Sequence, residues 1–556
     1  MTDPYTLLSS SSRRRLSPTV LKMGDSANHA RAQMEDIFPT RGILFPTGGR
    51  LNSLRDALLS FDEAAYVLIQ RAQNFMDLLR AEGPFSQDDA ESICSVQARA
   101  IEIVQVARLV HDAAIQDIVR QVVSFGDKAS FNVDALLEHF KKPLERIVQE
   151  IILEAHSDDI LWKIAEECYH QATRPSGNLN PENCLATIAP LQQEQEKENW
   201  VKFWIQLLCN CPDGPTLFRP ENDCVFGDLA KRLPKHMPRH LFRAYDVNST
   251  GCNNEDVIAS VFSQHDKANN HRIDIFSMNY QEASGMLHHH LDRGLSSPWE
   301  TDNLVSWSSS LIFAIQYANW RFCNPPRFSR PMDIRICAVD TSKFPRGQFA
   351  RDKWLLNCFK NTEFSDPENS FRELRLNEDH DNGEYLSQGV LHIEDRSDTL
   401  SLRSLENAGL WNLYPEFGIS VVERGGGETD VRKLWTDYDK ALRWQWQFKK
   451  KTTKADVHIA LHIAEECFSS FDQDDLALLL LCFRERKLHP EKPSFQGPFA
   501  DLLSPVSAEG IVYEEPIEVD RYLTLRKRLS KLSQSSGERG IKLFEQLYVL
   551  EDADED

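Results

Sequence analysis

The stretch DNLVSWSSSLIFAIQYANW, Asp302 to Trp320, crowds four serines around Trp307 and then turns abruptly apolar. Leu304 and Val305 rise as a β-strand into SWSSS, and LIFAIQYANW follows as a helix, so the segment is a strand-to-helix junction. At such a junction Ser309 or Ser310 can cap the helix by accepting from N–H groups that have no partner within it. Ser306 and Ser308 alternate along the strand and share one face. Capping accounts for one or two serines. The other pair forms a hydroxyl lip on a strand, which is a site geometry.

Outward from the junction the sequence is mixed. HLFRAYDV alternates and is rich in β-formers, MDIRICAVD is a strand with Ile334, Ile336 and Ala338 on one face, and EYLSQGVLHIED makes two short strands about a turn. Helices fall at NYQEASGMLHHHLDRG, at LIFAIQYANW and at ARDKWLLNCF. Residues 236–424 are therefore an α+β region. Residues 51–212 precede it as an all-helical region, where Leu54, Leu58, Phe61, Ala65, Leu68, Phe75 and Leu79 mark one stripe at spacings of three, four or seven. Ser86 and Asp89 in SQDD supply a capping box for the next helix. Residues 428–556 return to helices around a linker near 489–515. Residues 1–50, rich in Ser, Arg, Pro and Gly without a period, are expected to be disordered. The helical regions present no catalytic pattern and are expected to be scaffold.

At 556 residues the chain exceeds one core, and its formal net charge is -21. That acidity opposes binding to phosphate backbones and anionic lipid, so neither nucleic acid nor a membrane is an expected partner. No apolar run approaches the roughly 20 residues of a membrane span. MTDPYTLLSSSSRRRLSPTV lacks a secretory apolar segment, and the expected location is intracellular and cytoplasmic. Twelve cysteines are too sparse for a disulfide scaffold. Cys209, Cys211 and Cys224, followed by His236 and His240, do not match a structural zinc spacing. His288, His289 and His290 point in three directions from a helix and are expected on a solvated face. No metal is expected.

Ser306-x-Ser308 followed by Ala314, Tyr317 and Ala318 resembles the serine motif of NAD-dependent ADP-ribosyltransferases of the arginine-serine-glutamate, cholera-toxin-like class. In that motif S-T-S ends a strand and the next helix carries A-x-x-[FY]-A; Trp307 replaces the threonine. LFRAYD places Arg243 where the class has its first-strand arginine, with Asp246 after it. NGEYLSQG places Glu384 at the catalytic glutamate. Residues 236 to 415 also resemble a fungal domain family with the LFR, LVSWSSS and GEYLSQG signature.

The resemblance implies an ADP-ribosyltransferase-like fold for the central region and NAD as substrate. Breaking the nicotinamide–ribose bond creates an oxocarbenium-like centre, which a fixed carboxylate stabilises, and Glu384 takes that role. Arg243 would hold the pyrophosphate or ribose, Ser306 or Ser308 would orient the carboxylate, with Ser308 the nearer, and Trp307 or Tyr385 would stack on nicotinamide. Asn382 stands two residues before Glu384, where arginine-modifying relatives carry glutamate, and a neutral amide is a poor base. The acceptor stays open: a protein, or water, as in an NAD glycohydrolase. The alternative is a non-catalytic interaction scaffold whose degenerate NAD-fold module binds another protein.

Overall fold

The computed structural model describes residues 48–81, 86–154, 160–185, 190–220, 237–265, 272–292, 302–323, 332–359, 375–377, 381–418, 431–490 and 514–551. Most of the N-terminal segment expected to be disordered, and most of the linker near 489–515, lie outside these residues. The described chain divides into two units, one within residues 1–120 and 145–160 and the other within 121–144 and 161–556.

The first unit is helical. It contains α1 (Gly48–Ala81), the body of α2 (Gln87–Ser124) and most of α3 (Lys141–Glu154). The SQDD capping box forms as the sequence predicts: Asp89 N donates to Ser86 Oγ at 3.2 Å and Ser86 N to Asp89 Oδ2 at 3.0 Å.

The second unit begins with residues 121–144 and goes on to all but the first residue of α4 (Ile160–Thr173) and to α5 (Pro190–Asn210). Its α+β centre runs through β1 (His240–Tyr245), β2 (Cys252–Asn253), β3 (Val257–Ala259), α6 (Tyr280–Asp292), β4 (Leu304–Ser308) and α7 (Leu311–Cys323). It continues with β5 (Arg335–Asp340), β6 (Ala350–Arg351), α8 (Asp352–Cys358), β7 (Glu384–Gln388), β8 (Val390–His392) and β9 (Ser397–Ser401). Helices α9 (Val431–Gln445), α10 (Lys454–Cys467), α11 (Gln473–Leu481), α12 (Ile517–Ser536) and α13 (Ile541–Leu547) follow. The protein is α+β, with helical regions on both sides of an antiparallel centre.

Six strands form one antiparallel sheet in the order β6-β7-β4-β1-β5-β9, and β2-β3-β8 form a smaller one. Strand alternation sorts the core into layers. Phe242, Ile336 and Ala338 point to the face covered by α7, where Ala314 and Ala318 allow close approach, and the same apolar cluster reaches α10 to α13. Leu241, Trp307, Cys337, Val339 and Tyr385 point the other way, onto Phe344 and Phe349. Leu304 and Leu386 meet Met286, Leu287 and Leu291 of α6. Each large side chain so buried stabilises the fold by about 1.5–3 kcal/mol. Among the described residues no helix is long and apolar enough to cross a membrane.

Asp439 of α9 is fully buried, and neither carboxylate oxygen has a hydrogen-bond partner. Burial, together with the neighbouring Glu518, pushes its carboxyl up to about 8 against the opposing charge of Arg443. The folded state therefore keeps a proton that the unfolded chain releases near the ordinary value of 3.8, and this group lowers stability progressively as pH rises from about 4 to about 8. Asp439→Asn should raise the melting temperature, by a margin that is small at the acid end of that window and largest at its top. Melting curves across the window check this; a margin that does not change with pH would contradict it.

Candidate active site

Strands β4 and β7 pair Ser308 with Glu384, Trp307 with Tyr385 and Ser306 with Leu386. Directly opposed residues share a face, so Ser306, Ser308 and Glu384 lie on one side, with Ser306 and Glu384 as diagonal neighbours. Glu384 follows a turn through Asp381, Asn382 and Gly383. Gly383 has φ +65°, and a Cβ there would collide with Ser309 Oγ, so the turn requires glycine. Ser309 N donates to Gly383 O at 2.8 Å, and Gly383 N donates to Asp381 Oδ1 at 2.8 Å. Arg351 Nη2 meets both oxygens of Asp381 at 2.6 and 2.7 Å, and Lys353 Nζ lies 2.6 Å from Asp381 Oδ2.

The Glu384 carboxylate is paired with Arg375, with the Ser306 side chain beside it on the adjacent strand. Burial alone would raise its pKa, but Arg375, Ser306 and the nearby His290 outweigh burial and hold it below the usual range. Asp352, which faces the same Arg375 at 3.9 Å, is shifted the other way, first by burial and further by Glu384. One guanidinium between two carboxylates favours ionisation of one of them.

Behind Ser306 stand two further side chains. His290 Nε2 lies 2.9 Å from Ser306 Oγ, and His290 Nδ1 lies 2.8 Å from Asp302 Oδ2. Asp302 and His290 together fix the Ser306 hydroxyl beside Glu384.

The remaining expected site residues have other tasks. Ser308, the serine expected nearest the carboxylate, directs its hydroxyl elsewhere: it is buried, donates to Asn382 O at 2.6 Å and accepts from Ser310 N at 3.0 Å. Ser310 caps α7, accepting from Phe313 N at 3.2 Å, while its hydroxyl donates to Glu518. Ser309 Oγ donates to Glu515 Oε2 at 2.6 Å. Trp307 and Tyr385 occupy the opposite, core-facing side, so neither ring is free to stack on nicotinamide. Trp307 Nε1 donates to Ser387 Oγ at 3.0 Å, and the Arg351 guanidinium lies 5.2 Å above the Tyr385 ring. Asn382 is buried in the turn, its Oδ1 accepting from Arg443 Nη1 at 3.4 Å. Because Phe242 pairs with Ser308, alternation turns Arg243 toward the far face. Its guanidinium joins the site through the backbone, donating to Ser306 O at 2.9 Å, and its Nε donates to Asn253 Oδ1 at 3.0 Å.

His290 was expected on a solvated face, yet it is buried. Its position three and four residues after Leu287 and Met286 puts it on the apolar side of α6, and that spacing was the available signal. Asp302 and Arg375 gave no such signal. Among the described residues no group of His, Cys, Asp and Glu could hold a metal ion. Cys211 is buried, with its thiol pushed up to about 12 by burial, and His240 Nε2 lies 3.1 Å from Asp475; Cys224 and His236 lie outside the described residues.

Residues 236–391 match a family described as a domain of unknown function, DUF7587. No curated protein and no solved structure matches the chain.

Ser308→Ala should lower stability by about 1–3 kcal/mol, because it strands the buried Asn382 carbonyl and Ser310 N–H. Ser306→Ala, at a partly exposed position, should cost less. Denaturant titration of both variants tests the order, and a Ser306 variant less stable than the Ser308 variant would reverse the roles assigned here.

Proposed function

We propose that the central region is an ADP-ribosyltransferase-like module that cleaves NAD at the nicotinamide–ribose bond. The observation that carries this reading is the Glu384 carboxylate, paired with Arg375, held below the usual pKa range and set beside Ser306 of the adjacent strand. Such a carboxylate can hydrogen-bond a ribose hydroxyl and offset the positive charge that develops as nicotinamide leaves with the bonding electron pair. Arg243, turned to the far face and donating to the Ser306 carbonyl, would serve this site through the strand backbone rather than by holding the dinucleotide. Asn382 stands two residues before Glu384, so no carboxylate occupies that position, and its amide is tied into the turn by Arg443. That favours water as acceptor, giving ADP-ribose, nicotinamide and a proton, over transfer to arginine. The reading fits an intracellular, cytoplasmic protein, where NAD is abundant.

A non-catalytic scaffold is the second reading. Two observations favour it: Arg243 turns to the face opposite Glu384, and Trp307 and Tyr385 are core residues.

Nicotinamide release by the full-length chain in millimolar NAD separates the two. If the protein cleaves NAD, Glu384→Gln should slow release by at least about a hundredfold, the scale of losing one transition-state electrostatic group, with affinity nearly unchanged. Equal rates in variant and parent remove Glu384 from the mechanism, and a parent without turnover or calorimetric response to NAD favours the scaffold.

A further inference from the structure

The stripe along α1 is more than amphipathic. Phe61, Ala65, Leu68, Ala72, Phe75 and Leu79 recur at alternating steps of four and three, continuing the rhythm of Leu51, Leu54 and Leu58. A mean period of 3.5 is the a/d pattern of a helix supercoiled on another helix, whereas a helix lying on a globular surface follows 3.6. The pattern therefore names its occupant as a helix. Among the described residues no helix covers the stripe fully: Phe61 is 51% exposed and Leu68 43%, while Ala65, Phe75 and Leu79 are half-buried.

We infer that the seam is covered by α1 of a second copy of this chain. Charge supports self-pairing. The whole chain carries -21, which opposes association of copies, but in α1 four arginines balance four acidic residues, so two such helices meet without net repulsion. Length supports it too. A helix of 34 residues is roughly 50 Å long, and a seam of that length buries roughly 800 Å² per helix, the size of a standard stable interface. Ile69 and Met76, beside the seam and themselves exposed, widen the apolar strip and add to the buried area. The inference is independent of any activity at Glu384.

Sedimentation of the full-length chain at micromolar concentration tests it. The parent should show the mass of at least two copies of the 63.8 kDa chain. Phe61→Asp and Leu68→Asp, each placing a charge in the seam, should give the single-chain mass with unchanged far-ultraviolet dichroism. Val67→Asp, at a site 48% exposed but off the seam, should leave the assembly intact. If the Asp variants lose helix content, the double variant Phe61→Ala, Leu68→Ala takes their place and should associate at least about tenfold more weakly than the parent. A parent that sediments as one chain overturns the inference, as does an assembly indifferent to the seam substitutions or equally sensitive to Val67→Asp.

Discussion

The candidate site hangs on the buried guanidinium of Arg351. From β6 it grips both oxygens of Asp381, donates to Glu384 O at 2.9 Å, and lies 3.3 Å from Asp352 and 3.8 Å from Glu515. Its desolvation is offset only because so many acceptors converge on it. Removing one partner from such an arrangement typically costs about 3–5 kcal/mol, since the remaining charge stays buried and unpaired. The turn that delivers Glu384 to β7 exists in this shape because Arg351 holds its start at Asp381 and its end at the Glu384 carbonyl.

Around that centre, charge is spent on position rather than on net stability. Arg443 donates to Asp381 O at 3.0 Å and pairs with Glu518, which in turn accepts from Ser310. Despite burial, Asp381 is held below the usual carboxylate range by Arg351 and Lys353, and Glu518 by Arg443. Groups of that kind contribute stability above the unfolded pKa and lose it as pH falls through the folded one. Asp352 has the opposite shift and the opposite sign, losing stability as pH rises between its unfolded and folded values.

What the sequence made legible, and what it did not, divides along chain distance. The β4–α7 junction, the strands on either side and the α+β class follow from local alternation and composition, which act over a few residues. The same period-2 rule carried Trp307 and Arg243 away from the Ser306 face, a consequence that the family resemblance obscured. Glu384 and Ser306 are 78 positions apart, yet the resemblance reached them because strand neighbours keep fixed registers. His290, Asp302 and Arg375 were missed because their meaning lies in hydrogen bonds between elements that no periodicity links. The four serines show the limit most plainly: one meets the buried His290 beside the carboxylate, one ties the turn to the strand, one reaches Glu515 and one caps the helix.

Two of those serines depend on residues far down the chain. Ser309 and Glu515 are separated by 206 positions, and Ser310 and Glu518 by 208. Tyr385 donates its hydroxyl to Glu515, and Arg443 of α9 bridges the turn to α12. Residues 236–391 contain every strand of the site, but they do not contain the partners that neutralise its buried groups. Cut at those limits, the segment would leave Ser309, Ser310 and Tyr385 without their carboxylates and the Asp381 carbonyl without Arg443. The helical C-terminal region is thus not an appendage to the α+β centre. It completes the electrostatic cage that fixes the turn before Glu384, so the geometry at the carboxylate is a property of the whole second unit.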